Sequence, residues 1–477
     1  MELNIKEITE QDNKNNAAQV KHDVCLLLLQ KKKDEATERI VKLLENKTKF
    51  YATQFDEANE IYYYETGIYK PEGRSFIKKF CRELLEGIYT EQLANLVCAK
   101  IEADSFIEQR EFFKPQNINE VCVLNGVLNL KTRKLTDYTP NKIFFSKINA
   151  FYDPAANCEE IEKFLSEVLA EPNDIITIYE IVGSCLYRDY FIEKAIMMLG
   201  TGRNGKGKTI SLIKSILGEQ NFTGIPLQNL ENGDFKEIEL QGKLANLGGD
   251  ISNYPLKSTA KFKGLTGRDM ITASKKFKND VSFVNYAKMI FATNNLPKTY
   301  DLSDGFFGRW VYLDFPYQFK APKDYEEAIK NDPFNKKIRL MDAKRIDNIT
   351  TPEQLSGLLN RALDGLDNLF KNGDYTSSKS SESIKIWWVR NSDSFLGFCW
   401  ENLENTESEV EWISKDNLRQ KYQKFCSINK LISEGDKHIH EIMVREMKAW
   451  EGQVVGENGE RMYIWRGVKF KGSGVNV

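Results

Sequence analysis

The sequence has 477 residues, of which 41% are hydrophobic and 29% charged, so a sizeable core can form and wholesale disorder is excluded. At roughly 150 residues per domain, this length predicts about three domains. The 67 Lys and Arg residues nearly balance the 69 Asp and Glu residues, giving a net charge of −2. A protein coated in positive charge is excluded, and any contact with nucleic acid must come from local clusters.

Signals for export, membrane insertion and metal binding are weak. The first residues lack the basic region and apolar stretch of a secretory signal, so we expect a cytoplasmic protein with no membrane partner. The eight cysteines are scattered without a CxxC pair, which is typical of reduced thiols rather than disulfides or a zinc site. His438 and His440 lie close together, but no Cys or carboxylate cluster accompanies them, so we expect no metal there.

The first 150 residues are predicted to form an α+β domain. Aromatic and β-branched residues bounded by turn signals predict strands, and apolar residues at helical spacing predict helices. These patterns follow one another as helical residues 18–48, a small β-hairpin unit at 51–69, helical residues 75–103 and two short strands at 121–135.

Residues 151–192 are predicted to form a helical collar, interrupted near Pro172. Residues 193–375 alternate apolar runs with polar helical stretches, which predicts an α/β core with a parallel sheet, flanking helices and a helical extension. In the extension, Thr351 and Pro352 predict a helix start, and Asn372-Gly373 predicts its end.

The strongest motif is the glycine-rich run GTGRNGKGKT at 200–209, which satisfies G-x-x-x-x-G-K-T. It follows the apolar run 195–199 and precedes a helix with apolar periodicity, as a phosphate-binding loop requires. Glycines let backbone N–H groups curl around phosphate oxygens, and the helix start adds positive potential. We therefore predict that a nucleotide triphosphate is bound by Gly202, Arg203, Asn204, Gly205, Lys206, Gly207, Lys208 and Thr209.

When the pattern is read from Gly202 to Thr209, Lys208 would reach the β- and γ-phosphates of ATP, and the Thr209 hydroxyl would ligate Mg²⁺. Asp250 follows a second apolar run and Gly248-Gly249, so we predict that it helps hold Mg²⁺ and orients the attacking water. Many such ATPases place two acids side by side at this point, where the chain has glycine. Asp250 would then serve both roles, or a base such as Asp269 would arrive from elsewhere.

A polar amide follows the third apolar run, 288–292. At the tip of a strand beside the phosphate loop, Asn294 could sense the γ-phosphate and hold the attacking water, with Asn295 as second choice. Taken alone, these residues are more typical of a tight turn before Pro297.

Arg309 stands before the strand-like run 310–315. Its guanidinium stays charged and matches phosphate oxygens in shape, so it could reach the γ-phosphate held by a neighbouring subunit. Taken alone, the segment is more typical of a surface arginine stacked on Trp310.

The order of these motifs along the chain resembles that of the superfamily III helicases. The motifs are GxGxNGKGKT, a strand ending in Asp, LTGRD, KMIFATNNLP and GFFGRW. The nearest branch is the primase–helicases of poxviruses, phages and plasmids, and the resemblance covers most of residues 50–450. It implies an AAA+-type core, ATP and Mg²⁺ as cofactors, and a homo-oligomeric ring, usually a hexamer, that travels on single-stranded DNA in the host cytoplasm. The priming members' metal-binding acids and zinc-ribbon cysteines are not visible, so a separate primase is an expected partner.

The resemblance also implies a hairpin that lines the central channel of the ring. Lys275, Lys276 and Lys278 would follow the phosphates of the DNA strand, and Phe277 would stack on a base. Taken alone, this run is more typical of a solvated, Lys-rich turn.

The Ser-rich stretch 376–382 is the best linker candidate, so residues 383–477 are predicted to form a separate module. Helical patterns from Trp412 and over 439–450, followed by a hairpin turning at Asn458-Gly459, predict a winged-helix-like fold. Such a module can place a helix in the major groove of duplex DNA. A protein-contact or capping role explains the pattern equally well.

These features together predict an ATP-dependent DNA helicase that replicates a virus, phage, plasmid or other mobile element. Two alternatives stay open. A replication initiator that binds an origin and uses ATP as a switch would show weak DNA-stimulated hydrolysis and no processive unwinding. A P-loop NTPase acting on protein partners would show no stimulation by DNA.

Overall fold

The computed structural model describes residues 18–55, 58–114, 117–232, 236–249, 251, 254–275, 278–429, 431–455 and 460–472. Among these residues, none of the helices has both the length and the apolar character needed to cross a lipid bilayer. The chain forms an N-terminal α+β region, a central α/β core and a C-terminal α+β region.

The N-terminal region packs two small antiparallel sheets against helices. Tyr51 pairs with Tyr62 in the first sheet, so the predicted hairpin is confirmed, and a third strand extends it. In the second sheet Val123 pairs with Gly126, so the predicted strands turn tightly at Leu124 and Asn125. The elements are α1 (18–29), α2 (Lys33–Lys47), β1 (Phe50–Phe55), β2 (Ala58–Glu65), β3 (Ile68–Lys70), α3 (Gly73–Leu85), α4 (Glu91–Asp104), α5 (Gln109–Phe113), β4 (Glu120–Val123), β5 (Gly126–Asn129) and β6 (Leu135–Thr136).

The central region contains the elements predicted as collar, core and helical extension. They are α6 (Glu159–Val168), α7 (Pro172–Leu186), β7 (Ala195–Leu199), α8 (Lys206–Leu217), β8 (Phe222–Thr223), α9 (Leu227–Asn232), β9 (Ala245–Gly248), α10 (Ala260–Thr266), β10 (Met270–Lys275), β11 (Lys278–Val284), β12 (Lys288–Thr293), α11 (Asp304–Phe307), β13 (Trp310–Asp314), β14 (Gln318–Lys320), α12 (Pro322–Asn331), β15 (Ile338–Leu340), α13 (Arg345–Ile349) and α14 (Pro352–Asn372).

A five-stranded parallel sheet in the order β13-β7-β12-β9-β8 forms the centre of the molecule, which confirms the predicted α/β core. All five residues of β7 and all six of β12 are buried, as expected of strands covered on both faces. Because β7, β12 and β9 are adjacent and parallel, the loops after them meet at one edge of the sheet. That edge is where open α/β sheets bind ligands.

The long helix α14 packs against α7 and begins and ends where its sequence predicts. The Thr351 side chain accepts a hydrogen bond from the Gln354 N–H, Pro352 occupies the first turn, and Gly373 ends the helix in the left-handed conformation. The interruption predicted near Pro172 is the boundary between α6 and α7, where Pro172 again occupies the first turn.

The C-terminal region differs from its prediction in two ways: the stretch 376–382 is not a linker, and the helix after it packs with the core. The Thr376 N–H donates to Glu180 and the Ser377 hydroxyl to Asp174, so this stretch is fixed against α7 instead of hanging as a linker. The next helix belongs to the core, because Ile384 and Trp388 are buried beneath the sheet. The remaining elements are α15 (Ser381–Ser392), α16 (Ser394–Asn402), β16 (Leu403–Asn405), β17 (Trp412–Ser414), α17 (Lys415–Asn429), α18 (Asp436–Arg445), β18 (Trp450–Val455), β19 (Arg461–Arg466) and β20 (Val468–Phe470).

Two helices and an antiparallel strand pair follow one another in this region, as the sequence predicts. Trp412 lies in a strand rather than a helix, and α18 ends at Arg445, because Trp450 pairs with Arg466 in the β18–β19 hairpin. The predicted turn at Asn458-Gly459 lies outside the described residues.

A cluster of charges around the buried Asp393 joins the C-terminal region to the core. Lys298 donates to Asp393 at 2.9 Å, and its ammonium lies 3.7 Å from Glu434, while His438 Nε2 lies 2.8 Å from Asp393. Burial tends to raise the pKa of Asp393, but the Leu396 N–H and the Lys298 ammonium outweigh it and lower that pKa. The two carboxylates and the imidazole are close enough to hold a metal ion, but the lysine ammonium lies among them.

Candidate nucleotide-binding site

A cavity of about 630 Å³ lies at the edge of the sheet where β7, β9 and β12 end. The glycine-rich loop and the first turn of α8, residues 202–208, form one wall. Thr293 and Asn294 extend that wall from the end of β12. Phe164 and Val168 of α6 and residues 340–343 also line the cavity. The cavity therefore combines polar backbone and cationic groups with an apolar surface, as a nucleotide requires.

The loop is curved by glycines at two positions that no larger residue could occupy. A Cβ at Gly200 would lie 1.6 Å from Asn204 Nδ2 and 2.8 Å from the Phe315 carbonyl. Gly205 has a φ of +97°, and a Cβ there would lie 2.4 Å from Val168. By contrast, Gly207 has open space around its Cα. The required glycines therefore stand at 200 and 205, five residues apart.

Helix α8 begins at Lys206, directly after Gly205. The Lys206 ammonium is buried and donates to the Gly200 carbonyl at 2.7 Å, to Asn294 Oδ1 at 3.0 Å and to Asn204 Oδ1 at 3.1 Å. It therefore lies within the curve of the loop, at the positive end of the helix. An anion placed there would meet the ammonium and the N–H groups of the first helical turn.

The phosphate-loop register predicted from sequence is corrected by these contacts. Lys208 is exposed and donates instead to the Ala343 carbonyl at 2.9 Å, on the far side of the cavity. Thr209 is fully buried, and its hydroxyl donates to the Gly205 carbonyl at 3.2 Å, so it is not placed to ligate a metal in the cavity. The pattern G-x-x-x-x-G-K therefore runs from Gly200 to Lys206, with Gly207 where the sequence pattern expects Ser or Thr.

Arg203 and Asn204 lie in the loop as predicted, and each also ties it to the strand region beside it. The Asn204 amide donates to the Phe315 carbonyl at 3.2 Å, and the Arg203 carbonyl accepts from the Phe319 N–H at 2.7 Å. Asn204 is 2% exposed, so it supports the loop more than it faces a ligand.

Asn294 lies where the sequence predicts, at the tip of β12 against the loop. Its side chain accepts from Lys206 and comes within 3.9 Å of where a Cβ on Gly202 would be. The backbone of Asn295 instead closes a turn with the Thr293 hydroxyl. Asp250 follows β9 directly but lies outside the described residues, while Gly249 beside it lines the cavity.

Arg309 lies beside the amino ends of the parallel strands, whereas the loop lies at their carboxyl ends. Its carbonyl accepts from the Ala195 N–H at the start of β7, whereas the loop follows the end of β7, roughly 13 Å along the strand. Its guanidinium donates to Thr266, to the Gly305 carbonyl and to Glu193. Trp310 is buried and stacks on Phe262, so the alternative of an arginine stacked on Trp310 gains no support.

The hairpin that the resemblance implies is present as β10 and β11. Met270 pairs with Val284, and Lys275 pairs with Lys278 across a two-residue tip. Lys276 and Phe277, the tip itself, lie outside the described residues, and only the backbone of Lys275 and Lys278 is described. Their contact with DNA stays a prediction.

The sequence analysis missed the side of the cavity that faces the loop. Phe164 and Val168 come from α6, more than 30 residues before the loop, and residues 340–345 follow it by about 140. Neither segment has a motif of its own, so only the fold brings them together. The one available signal for the correct register was that Gly200 is the first residue after the buried run 195–199.

Two protein-family models match the chain. Residues 9–170 match the family described as D5 N terminal like, and residues 198–309 match a family of unknown function, DUF5906. The second match extends from residue 198 to Arg309, so it contains the glycine-rich loop, Asn294 and the hairpin.

Two viral proteins, both named as proposed helicases, are similar to the chain over long stretches. The chain is 24% identical to V13 of Sputnik virophage over 375 residues, which cover 74% of the chain and 45% of V13. It is 24% identical to L207/L206 of Acanthamoeba polyphaga mimivirus over 220 residues, which cover 44% of the chain and 23% of that protein. The chain thus spans less than half the length of either relative.

Among solved structures, the C-terminal region of NrS-1 in its apo form aligns with 89% of the chain and 98% of its own length. Its TM-score is 0.44 and its sequence identity is 12%, too low to carry an argument about function. The D5 N terminal like match and the two viral relatives are sequence similarities, and they agree with the order of motifs along the chain. These sequence similarities support the resemblance of the chain to the phage and viral primase–helicases.

Proposed function

We propose that the chain is the helicase component of a viral or phage replication system. ATP binds in the cavity at the end of β7, and its hydrolysis drives single-stranded DNA through a ring of subunits. The observation that carries this proposal is the convergence of Lys206, Asn294 and the Gly200–Gly205 curve at one edge of the parallel sheet. The similarity to two viral proteins named as helicases also supports this proposal.

Lys206, rather than Lys208, takes the phosphate-binding role in this proposal. In the structure its ammonium is bonded to neutral oxygens of Gly200, Asn204 and Asn294. The phosphate oxygens of a triphosphate carry negative charge, so in this proposal they attract the ammonium more strongly than neutral oxygens do and take their place. The lysine is therefore held in the loop until nucleotide arrives.

Release of Lys206 from Asn294 changes what that amide can do. With its oxygen no longer accepting from the ammonium, the Asn294 side chain can hydrogen-bond the γ-phosphate or the attacking water. Magnesium bound with ATP would neutralise phosphate charge, and Asp250, just after Gly249, is the acid proposed to hold it. The roles predicted for Thr209 and Lys208 are not retained.

The ring proposal assigns two further surfaces. Arg309 reaches the γ-phosphate bound by a neighbouring subunit, because within its own chain it lies at the far edge of the sheet from the loop. The β10–β11 hairpin carries the DNA contact at Lys275, Lys276, Phe277 and Lys278. Helices α17 and α18 with the β18–β19 hairpin form the winged-helix-like module proposed to contact duplex DNA.

Steady-state ATP hydrolysis with and without single-stranded DNA, recorded together with the mass in solution, tests this function. We expect DNA to stimulate hydrolysis and the active species to be an oligomer. Lys206→Met keeps the aliphatic stem but removes the charge, and should reduce kcat by about 10³-fold or more. Asn294→Ala should reduce kcat by about 10²-fold while leaving ATP binding largely intact.

Three outcomes would contradict the proposal. Retained hydrolysis in Lys206→Met would exclude the phosphate-loop assignment. Hydrolysis without any response to DNA would favour the alternative of an NTPase that acts on protein partners. DNA-stimulated hydrolysis without strand separation would favour an ATP-switched replication initiator.

A further inference from the structure

The side of the cavity that faces the loop is a short segment, residues 338–345, which we name the strap. It contains β15 and the start of α13, and its residues 340–343 line the cavity. Leu340 is 52% exposed and Met341 is 39% exposed, so both present apolar surface beside the cavity. Their exposed surface is available to an apolar or aromatic ligand group.

The strap is attached to α6 by two arginines. Arg345 bridges Glu160 at 3.1 Å and Glu167 at 3.3 Å, and Arg339 donates to the Glu167 carbonyl at 2.6 Å. The strap and α6 therefore lie side by side, and we name the part of the cavity that both line the slot. Phe164 and Val168 contribute apolar surface to it from α6.

The strap is attached to the phosphate loop by Lys208. This ammonium, in the first turn of α8, donates to the Ala343 carbonyl at 2.9 Å. A second connection runs through β14, which pairs with β15, because the Phe319 N–H donates to the Arg203 carbonyl at 2.7 Å. The position of the strap is thus linked to the loop at both of its ends.

The slot and the loop together match the two parts of a nucleotide. The loop and Lys206 suit the phosphates, whereas the slot offers aromatic and aliphatic surface of the kind on which a planar base packs. The apolar residues of the slot are Phe164, Val168, Phe319, Leu340 and Met341.

We propose that Lys208 is a positioning residue that holds the strap over the nucleobase, and that it does not contact phosphate. This inference rests on the proposed function, because it assumes that a nucleotide occupies the cavity. It reassigns a lysine of the glycine-rich motif from the phosphate end of the ligand to the base end.

Lys208→Met tests the proposal through the split between KM and kcat. Loss of this solvent-exposed hydrogen bond should raise the KM for ATP about 5- to 10-fold while kcat stays within about twofold. Lys208→Arg can still donate to the Ala343 carbonyl and should restore the KM. Lys214→Met removes an exposed lysine from the last turn of the same helix and controls for the loss of charge.

Inorganic tripolyphosphate, which has no base, separates positioning from phosphate binding. As an inhibitor it should bind wild type and Lys208→Met equally, whereas ADP should bind the variant about 5- to 10-fold more weakly. Equal weakening of both inhibitors would make Lys208 a phosphate ligand and overturn the inference. An unchanged KM for ATP would also overturn it. Absence of hydrolysis in wild type would instead refute the proposed function.

Discussion

Glu180 is a buried carboxylate at the contact between α7 and the segment after α14. It accepts from the Thr376 N–H at 2.8 Å, from the Thr376 hydroxyl and from the Asn368 amide at 3.3 Å. Burial raises the pKa of Glu180, and the hydrogen bonds from Thr376 and Asn368 only partly oppose that rise. The folded protein therefore holds a proton on this group more tightly than the unfolded chain does.

This pKa shift predicts how stability depends on pH. Because the folded pKa lies above the unfolded value of 4.5, the contribution of Glu180 is fully present below pH 4.5 and is lost as pH rises through the folded pKa. Glu180→Gln does not titrate, so its stability relative to wild type should increase across that window. Urea unfolding midpoints at pH 4.5 to 8 measure the effect. Glu83→Gln, at an exposed site on α3, controls for the loss of one negative charge.

A constant difference between Glu180→Gln and wild type over that pH range would contradict the shift. We expect the Glu180→Gln variant to fold, because glutamine retains an acceptor for the Thr376 N–H. Its amide can also donate to the Thr376 hydroxyl.

Single residues also show which features of the site a sequence motif can predict and which it cannot. The glycine-rich run was predicted correctly as a loop between a strand and a helix, and Asn294 was predicted correctly to lie beside it. The register was wrong because both Gly202–Thr209 and Gly200–Lys206 fit the glycine and lysine spacing. In the structure, the start of α8 at Lys206 and the contacts of Lys206 with the loop distinguish them. The Gly207 position lacks the usual hydroxyl, which favoured the later register in sequence.

At the scale of elements, α7 and α14 pack closely against each other. A Cβ on Gly183 would lie 2.2 Å from the Ala362 carbonyl, and one on Gly365 would lie 2.6 Å from the Tyr179 backbone. Both obstacles are main-chain atoms, which cannot turn aside as a flexible side chain does. The two glycines therefore set how closely the helices approach.

Gly183→Ala should force the two helices apart and lower the free energy of unfolding by about 1–3 kcal/mol. Gly207→Ala is the matched control, since it places the same methyl group in a helix with open space around it. That variant should gain up to about 1 kcal/mol from the better helix propensity of alanine. Thermal unfolding of the nucleotide-free proteins measures both. Equal stability of the two variants would mean that the contact relaxes without cost.

Among the elements, features set by residues close in sequence were predicted, and features set by residues far apart in sequence were not. The ends of α14 were predicted because Thr351, Pro352 and Gly373 act on neighbouring backbone. The stretch at 376–382 was mistaken for a linker because its polar residues look solvated in sequence. Their partners, Glu180 and Asp174, lie about 200 residues earlier, and no local pattern reveals such a contact.

At the scale of the whole molecule, the parallel sheet separates two charged sites. The cavity proposed to bind nucleotide lies at the carboxyl ends of β7 and β12, and Arg309 lies at the amino end of β13. The same strands that bring Lys206 and Asn294 together keep Arg309 away from them. If Arg309 acts on a phosphate, that phosphate belongs to another subunit.

Mixing two inactive variants tests this arrangement. Arg309→Ala retains the loop and Lys206→Met retains the arginine, so a contact between the two variants can rebuild one complete site. Each variant alone should lose about 10³-fold in kcat, and a 1:1 mixture should recover a measurable fraction of wild-type hydrolysis. Recovery should rise with total protein concentration, because it requires assembly.

The ion pair of Arg309 with Glu193 supplies the control that separates this role from a structural one. Glu193→Gln removes the partner at 3.1 Å but leaves the arginine in place. If Arg309 serves a neighbouring site, Glu193→Gln should hydrolyse ATP at close to the wild-type rate, because freeing the guanidinium costs little at this partly exposed position. If Arg309 only stabilises its own chain, Glu193→Gln and Arg309→Ala should lose activity and thermal stability together. In that case the mixture would recover nothing, and the shared site would have to be abandoned.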